Sequence, residues 1–261
     1  MWDDECEKGN ERRAKMWILI LIVAGFAGSS PIGAGEQMTL FLVGDSTMAE
    51  RENLDRKMRG WGQMLQPFFT DEVVVENHAR GGRSKKSFIS EERWQVVFSR
   101  LKPGDYVLIQ FGHNDQKYQD PKRFTNPYTG YRRNLERFVK EARAKKAHAI
   151  LATSIVRRKF NDDGVVVDTY GNYPLVTRLV AEDLDVPFVD LQLLTEDLIQ
   201  EYGVGGSRVL FTWPEPGEEP EHQEGLQDNS HLSAAGGMEV ARLVAQELKR
   251  LSHPLAEKLK N

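Results

Sequence analysis

Four short clusters in this 261-residue chain hold the side chains that acyl transfer to a serine would need. Gly44-Asp45-Ser46 closes an apolar run, Met38 to Val43, so Ser46 stands where a buried strand delivers a side chain to the edge of a sheet. A serine is an effective nucleophile only with a base, an acid that orients the base, and donors for the oxyanion. Asp228-Asn229-Ser230-His231 offers the first two. Across that gap the aspartate can accept from its neighbour's Nδ1–H and leave Nε2 free to take the serine proton. Gly81 and Gly82, in the segment Asn77 to Ser84, allow backbone N–H groups to approach and point at an anion. Asn114, in Gly112-His113-Asn114-Asp115, presents an amide donor. Each cluster alone has a plainer reading: a tight glycine turn, an asparagine turn or cap, a capping aspartate beside an unrelated surface histidine. Their conjunction, each at the end of an apolar run or just before the last helix, favours catalysis.

The elements that must position these residues are legible as βα repeats. Apolar, β-rich runs recur at Met38 to Val43, Val73 to Glu76, Tyr106 to Phe111, Ala149 to Ser154 and Pro187 to Leu191, which predicts a parallel sheet covered on both faces. Between them the spacing predicts helices at Gly60 to Phe69, Ser87 to Leu101, Tyr131 to Lys146 and Pro174 to Leu184, the last presenting Leu175, Leu179 and Val180 inward. Tyr131 to Lys146 is the clearest, with Leu135, Phe138, Val139 and Ala142 on one face. Ser233 is a good N-cap for a final helix bearing Val240, Leu243, Val244 and Leu248. Phe211 to Gln227, with three prolines and five glutamates and no period, reads as a long loop of the functional or mobile kind.

Length allows one large α/β domain, expected over residues 35–261. A net charge of -4 argues against bulk nucleic-acid binding. Residues 1–34 are set apart: Arg12, Arg13 and Lys15 precede an apolar run, Met16 to Ala27, and then Gly28-Ser29-Ser30-Pro31, the pattern of a secretory signal peptide or N-terminal anchor. That run is shorter than the roughly 20 residues that span a bilayer, so no stable membrane association is expected once the segment is cleaved. The expected location is secreted, periplasmic or cell-surface. Removing the segment also removes Cys6, the only cysteine, leaving no disulfide and no thiolate nucleophile.

At the level of whole motifs, the chain resembles the SGNH, or GDSL-type, hydrolases: GDS at 44–46, glycine at 82, G-x-N-D at 112–115 and D-x-x-H at 228–231. More narrowly, GDSTMA, GWGQ, NHARGGRSKKSF, LKPGDYVLIQFGHND, YRRNLERFVKEARAK and DNSHLS are similar to the rhamnogalacturonan acetylesterases of carbohydrate esterase family twelve. The resemblance implies a three-layer α/β/α flavodoxin-like fold with five parallel strands. It implies a Ser46, Asp228 and His231 triad, an oxyanion hole of the Ser46 and Gly82 N–H groups and the Asn114 amide, and neither metal nor organic cofactor. A metal site built from Asp228, His231, His222 and Asp115 would leave Ser46, Gly82 and Asn114 unexplained.

The expected substrate is an acetylated acidic polysaccharide, because Arg80, Arg83, Lys85, Lys86, Lys117 and Arg157-Arg158-Lys159 fall on loops at the predicted strand ends. Arg83, Lys85, His113, Arg157 and Trp213 are the candidates for binding it, although the five glutamates of the 211–227 loop would repel a polyanion. Asp45 is expected to bond the turn that aims Ser46, His78 to be structural, and His148 and His253 to lie on the surface. The rival readings are an esterase of acetyl-xylan, of a lipid or of a thioester, and a non-catalytic carbohydrate-binding module. A module that only binds needs no triad.

Overall fold

A computed structural model describes residues 37–251, apart from 54 and 55, and 253–260. The expected signal segment, its boundary at residue 34 and Cys6 lie outside the described residues. Strands β1 (Met38–Gly44), β2 (Val73–Asn77), β3 (Tyr106–Gln110), β4 (His148–Ala152) and β5 (Phe188–Val189) form a parallel sheet in the order β2-β1-β3-β4-β5. The apolar runs are continuous because both faces are covered. Leu40 and Leu42 of β1, Leu108 of β3 and Ile150 of β4 enter one core; Phe41, Val43, Val107, Ile109 and Leu151 enter the other. Each such fully buried side chain contributes about 1.5–3 kcal/mol relative to exposure.

The first core is closed by two 3-10 turns, Trp61–Met64 and Gln66–Phe68, and by the later helices α5 (Leu191–Gly206) and α6 (Ala234–Arg250). The second is closed by α1 (Lys85–Ser90), α2 (Arg93–Arg100), α3 (Arg132–Ala144) and α4 (Asn172–Asp183). Residues 60–69 are therefore not one helix. The expected helix 87–101 is two, broken at Glu92, whose φ is 58°. In α4 the buried face is Tyr173, Val176, Thr177 and Val180, whereas Leu175 and Leu179 are 45% and 37% exposed. The expected strand 187–191 stops at Val189 because Asp190 caps α5, its carboxylate accepting from Leu193 N–H. The predicted loop is shortened: β6 (Phe211–Thr212) pairs antiparallel with β7 (Asp228–Leu232), leaving Trp213 to Gln227 between them.

In this strand order β2 lies on one side of β1 and β3, β4 and β5 on the other, so the direction of winding reverses between β1 and β3. Ligands of open α/β sheets bind outside the strand ends at such a switch point, and the loop after β1 begins at Asp45.

Candidate active site

The turn after β1 is held from inside. Asp45 is fully buried; its Oδ1 accepts from Thr47 N–H (3.1 Å) and the Thr47 hydroxyl (2.9 Å), and its carbonyl accepts from Met48 and Ala49 N–H. Burial would raise the Asp45 pKa, but His113 and these Thr47 bonds outweigh it and hold the carboxyl below its ordinary range. Ser46 thus projects from a rigid corner, half-buried. His231 Nε2 lies 2.9 Å from Ser46 Oγ, and His231 Nδ1 lies 2.6 Å from Asp228 Oδ2. The other Asp228 oxygen accepts from the N–H groups of Ser230 (2.8 Å) and His231 (3.0 Å), fixing the carboxylate on its own strand. Burial pushes Asp228 up, while the His231 hydrogen bond and charge and these two N–H groups pull it down further, so it stays ionised at neutral pH.

Between the acid and the base stands Asn229, which ties β7 to the body. Its carbonyl accepts from Arg158 N–H at 2.8 Å, and its Oδ1 accepts from Arg158 Nη1 and Trp213 Nε1, both at 3.1 Å.

The two other donor segments arrive beside Ser46. The loop after β2 runs along β1, with His78 N–H bonded to the Leu42 carbonyl and Arg80 N–H to the Gly44 carbonyl. Gly82 has φ +77°, a left-handed conformation that a side chain would strain, and open space surrounds its Cα. Ser84 then caps α1 through reciprocal bonds with Ser87. Asn114 is 3% exposed, and its amide gives one proton to the Arg83 carbonyl at 3.1 Å, which leaves the second available. Ser46, Gly82, Asn114 and His231 line one cleft of about 660 Å³.

The expected substrate-binding residues divide. Arg83 lines this cleft, although Glu91 and the Gly81 carbonyl hold its guanidinium. Lys85 cannot meet substrate: it is 0% exposed, 3.6 Å from Asp115 and packed over the Tyr131 ring. His113 is buried below the cleft, its Nδ1 3.3 Å from Asp45 Oδ2 and its Nε2 bonded to the Tyr170 hydroxyl; burial keeps it neutral against the pull of Asp45. Arg157 is half-buried on the Tyr170 ring and bonded to Thr169. Trp213 lies outside the cleft, stacked by Arg158 and Arg208, where it fixes Asn229. His78 is structural as expected, bonded to Glu76, whereas His253 is buried and caps the turn at Pro254.

Folding engages three of the five glutamates of the acidic loop, leaving Glu215 and Glu224 exposed. Glu221 pairs with Arg56, Glu218 with Lys57, and Glu219 is buried, accepting from Lys57 N–H. Residue type and order alone did not separate Arg51, which lies in the cleft, from ordinary surface charge.

The geometry has parallels among known proteins. The model of the GDSL-like lipase/acylhydrolase family matches residues 42–237. The rhamnogalacturonan acetylesterase RhgT of Bacillus subtilis is 43% identical over 220 residues, which are 84% of this chain and 93% of that protein. The probable rhamnogalacturonan acetylesterase YesY of the same organism is 32% identical, over 84% of this chain and 96% of its own. Among solved structures, Bacillus subtilis YxiM superposes with a TM-score of 0.68 at 27% identity, covering 84% of this chain and 58% of that one.

Proposed function

The chain belongs to the GDSL-like lipase/acylhydrolase family, and from that membership we propose that it is a serine acetylesterase removing O-acetyl groups from rhamnogalacturonan. The chemistry rests on one observation, the hydrogen-bonded line from Asp228 through His231 to Ser46 Oγ. In the first step Oγ attacks the ester carbonyl while His231 Nε2 takes its proton. Negative charge gathers on the former carbonyl oxygen, facing the Ser46 and Gly82 N–H groups and the Asn114 amide. The tetrahedral adduct collapses, His231 returns the proton to the sugar oxygen, and the alcohol leaves an acetyl-enzyme. Water repeats the cycle, freeing acetate and Ser46. Asp228 holds the imidazole in the tautomer that accepts at Nε2 and stabilises the imidazolium. Every proton is accounted for by Ser46, His231 and water, so the cycle calls for no metal or organic cofactor.

The substrate class rests on the similarity to RhgT and on the cations of the cleft, Arg51, Arg56, Arg80, Arg83 and Lys117. Acetate release from acetylated rhamnogalacturonan should exceed that from acetylated xylan by at least about tenfold in kcat/KM, roughly 1.4 kcal/mol of discrimination. Equal rates on the two polymers would dismiss the pectin assignment and leave the esterase chemistry standing. We extend the reading to location: the basic-then-apolar pattern of residues 12–34 supports export. Protein recovered from culture medium should then begin close after Ala27 or Ala34, and an intact Met1 on cell-retained protein would speak against it.

A further inference from the structure

Five cations, Arg51, Arg56, Arg80, Arg83 and Lys117, line the cleft around Ser46 together with Glu50 and Glu52, and their surroundings differ. Arg83 is engaged by Glu91, and Arg80 and Lys117 are exposed. Arg51 is the unusual one. It is half-buried five residues after the nucleophile, and its backbone is fixed in both directions by Gln63, which accepts from Arg51 N–H and donates to the Arg51 carbonyl, each at 3.2 Å. Its Nη2 donates to the Ser46 carbonyl at 3.2 Å, which sets the guanidinium beside the nucleophile. Its Nε is buried and has no hydrogen-bond partner among the described residues. Gly81 packs beside it: a Cβ there would sit in ordinary contact, 3.6 Å from Arg51 Nη1. The nearby charges are mostly of the same sign. Burial first, then Arg56 and Arg80, disfavour the charged form, and only Asp228 opposes them. Arg56 already has Glu221, and among the described residues no ion pair engages the half-buried Arg51 guanidinium, which stands beside Ser46.

We propose that Arg51 binds a uronate carboxylate of the acetylated chain, with Arg80 and Lys117 as the outer wall of that subsite. The proposal deepens, and rests on, the acidic-polysaccharide reading above. A guanidinium presents its donors as a planar fork that matches a carboxylate in two parallel hydrogen bonds, and such charge-assisted bonds are about twice as strong as neutral ones. A uronate there would relieve the repulsion among Arg51, Arg56 and Arg80. Arg51 also holds the Ser46 carbonyl, so the same side chain would tie recognition of the uronate to the nucleophile turn. A neutral xylan chain makes no use of this arrangement, which gives the preference between polymers a residue.

The test is a cycle between protein and substrate. Wild type and Arg51→Gln are assayed on acetylated rhamnogalacturonan oligosaccharides and on the same oligosaccharides after reduction of the uronate carboxyls to alcohols. Wild type should lose about tenfold or more in kcat/KM on carboxyl reduction, chiefly through KM, and 0.5 M salt should shrink that loss. Arg51→Gln should be at least about tenfold poorer than wild type on the acidic substrate, and carboxyl reduction should then cost it less than about twofold. Arg51→Lys should recover part of the loss through KM. Equal losses by Arg51→Gln on both substrates would overturn the proposal and reduce Arg51 to a prop for the Ser46 turn. Wild type indifferent to carboxyl reduction would overturn it even if the variant failed to fold. Wild type inactive on both oligosaccharides but active on acetylated xylan would instead refute the substrate reading on which the proposal rests.

Discussion

Ser46→Ala is expected to lower kcat/KM for acetate release by about 10⁶, the scale of losses when a triad nucleophile is removed. The size follows from the wiring. With Oγ gone, His231 Nε2 has no nucleophile to activate, and the Asp228–His231 pair, joined at 2.6 Å, is intact but idle. Asp228→Asn should cost less, about 10⁴, because an amide at this position cannot accept from Nδ1–H as a carboxylate does and so favours the wrong tautomer. Asn114→Ala should cost about 10²–10³ in kcat, the value of one oxyanion donor, with KM little changed. Ser46→Ala combined with His231→Ala should be barely worse than Ser46→Ala alone, since the residues act as one unit. Steady-state kinetics on a small acetyl ester, with thermal melts to show that the variants are folded, would measure the series. A Ser46→Ala protein within tenfold of wild type would dismiss the serine mechanism, and an Asn114→Ala protein at wild-type rate would remove the amide from the oxyanion hole.

The order of these losses follows clusters visible as bare strings, for a physical reason. A strand buried on both faces is mostly apolar, so Phe41-Leu42-Val43 and Tyr106 to Ile109 announce themselves, and polar residues such as Ser46 and Asn114 follow where each strand ends. Segments with a weaker pattern misled. The strand expected at Pro187 to Leu191 runs two residues too far, because Asp190 ends it only through the cap it makes on the helix that Leu191 begins. Leu175 and Leu179 fit a helical stripe, yet the face that meets the sheet is set one residue away by Tyr173, Val176 and Val180. Charge was the least legible feature. Lys85 and Lys86 are adjacent and identical, but Lys85 is fully buried while Lys86 reaches the Pro121 carbonyl at the surface. Likewise Glu218 and Glu221 of the long loop looked hostile to a polyanion until Arg56 and Lys57, more than 150 residues earlier, were found beside them.

Lys85→Met should lower stability by about 3–5 kcal/mol at neutral pH, or roughly 10 °C in Tm, because it strands the Asp115 carboxylate in the core. Both side chains are 0% exposed. Lys85 Nζ sits 3.6 Å from Asp115 Oδ1 and 2.8 Å from the centre of the Tyr131 ring. Asp115 Oδ1 also accepts from Thr125 Oγ1 at 3.1 Å and Lys85 N–H at 3.3 Å. The pair joins the loop that carries Gly82 to the loop that carries Asn114, so its loss should reduce kcat as well. The pH dependence carries a sign that cavity formation cannot imitate. Burial holds Lys85 down to about 7, from an ordinary 10.5, so the folded state binds fewer protons between those values; the stability this group contributes is present above 10.5 and is lost as pH falls through about 7. Burial pushes Asp115 the other way, above 3.8, so its contribution is full below 3.8 and is lost as pH rises. Removing either partner removes the counter-charge that limits the other's shift. Lys85→Met should therefore lose stability from pH 5 to pH 8, while Asp115→Asn should gain it over the same range, each by up to about 1.4 kcal/mol per pH unit. Thermal unfolding of both variants beside wild type measures the two slopes. The double variant Lys85→Met with Asp115→Asn should be flatter than either and more stable than Lys85→Met at pH 8, since two neutral side chains replace one unpaired charge. Parallel slopes for the two single variants would mean that Lys85 and Asp115 do not sense each other's charge, and the link between the two loops would have to be sought in the Asn114 bond to the Arg83 carbonyl and the Lys85 N–H bond to Asp115.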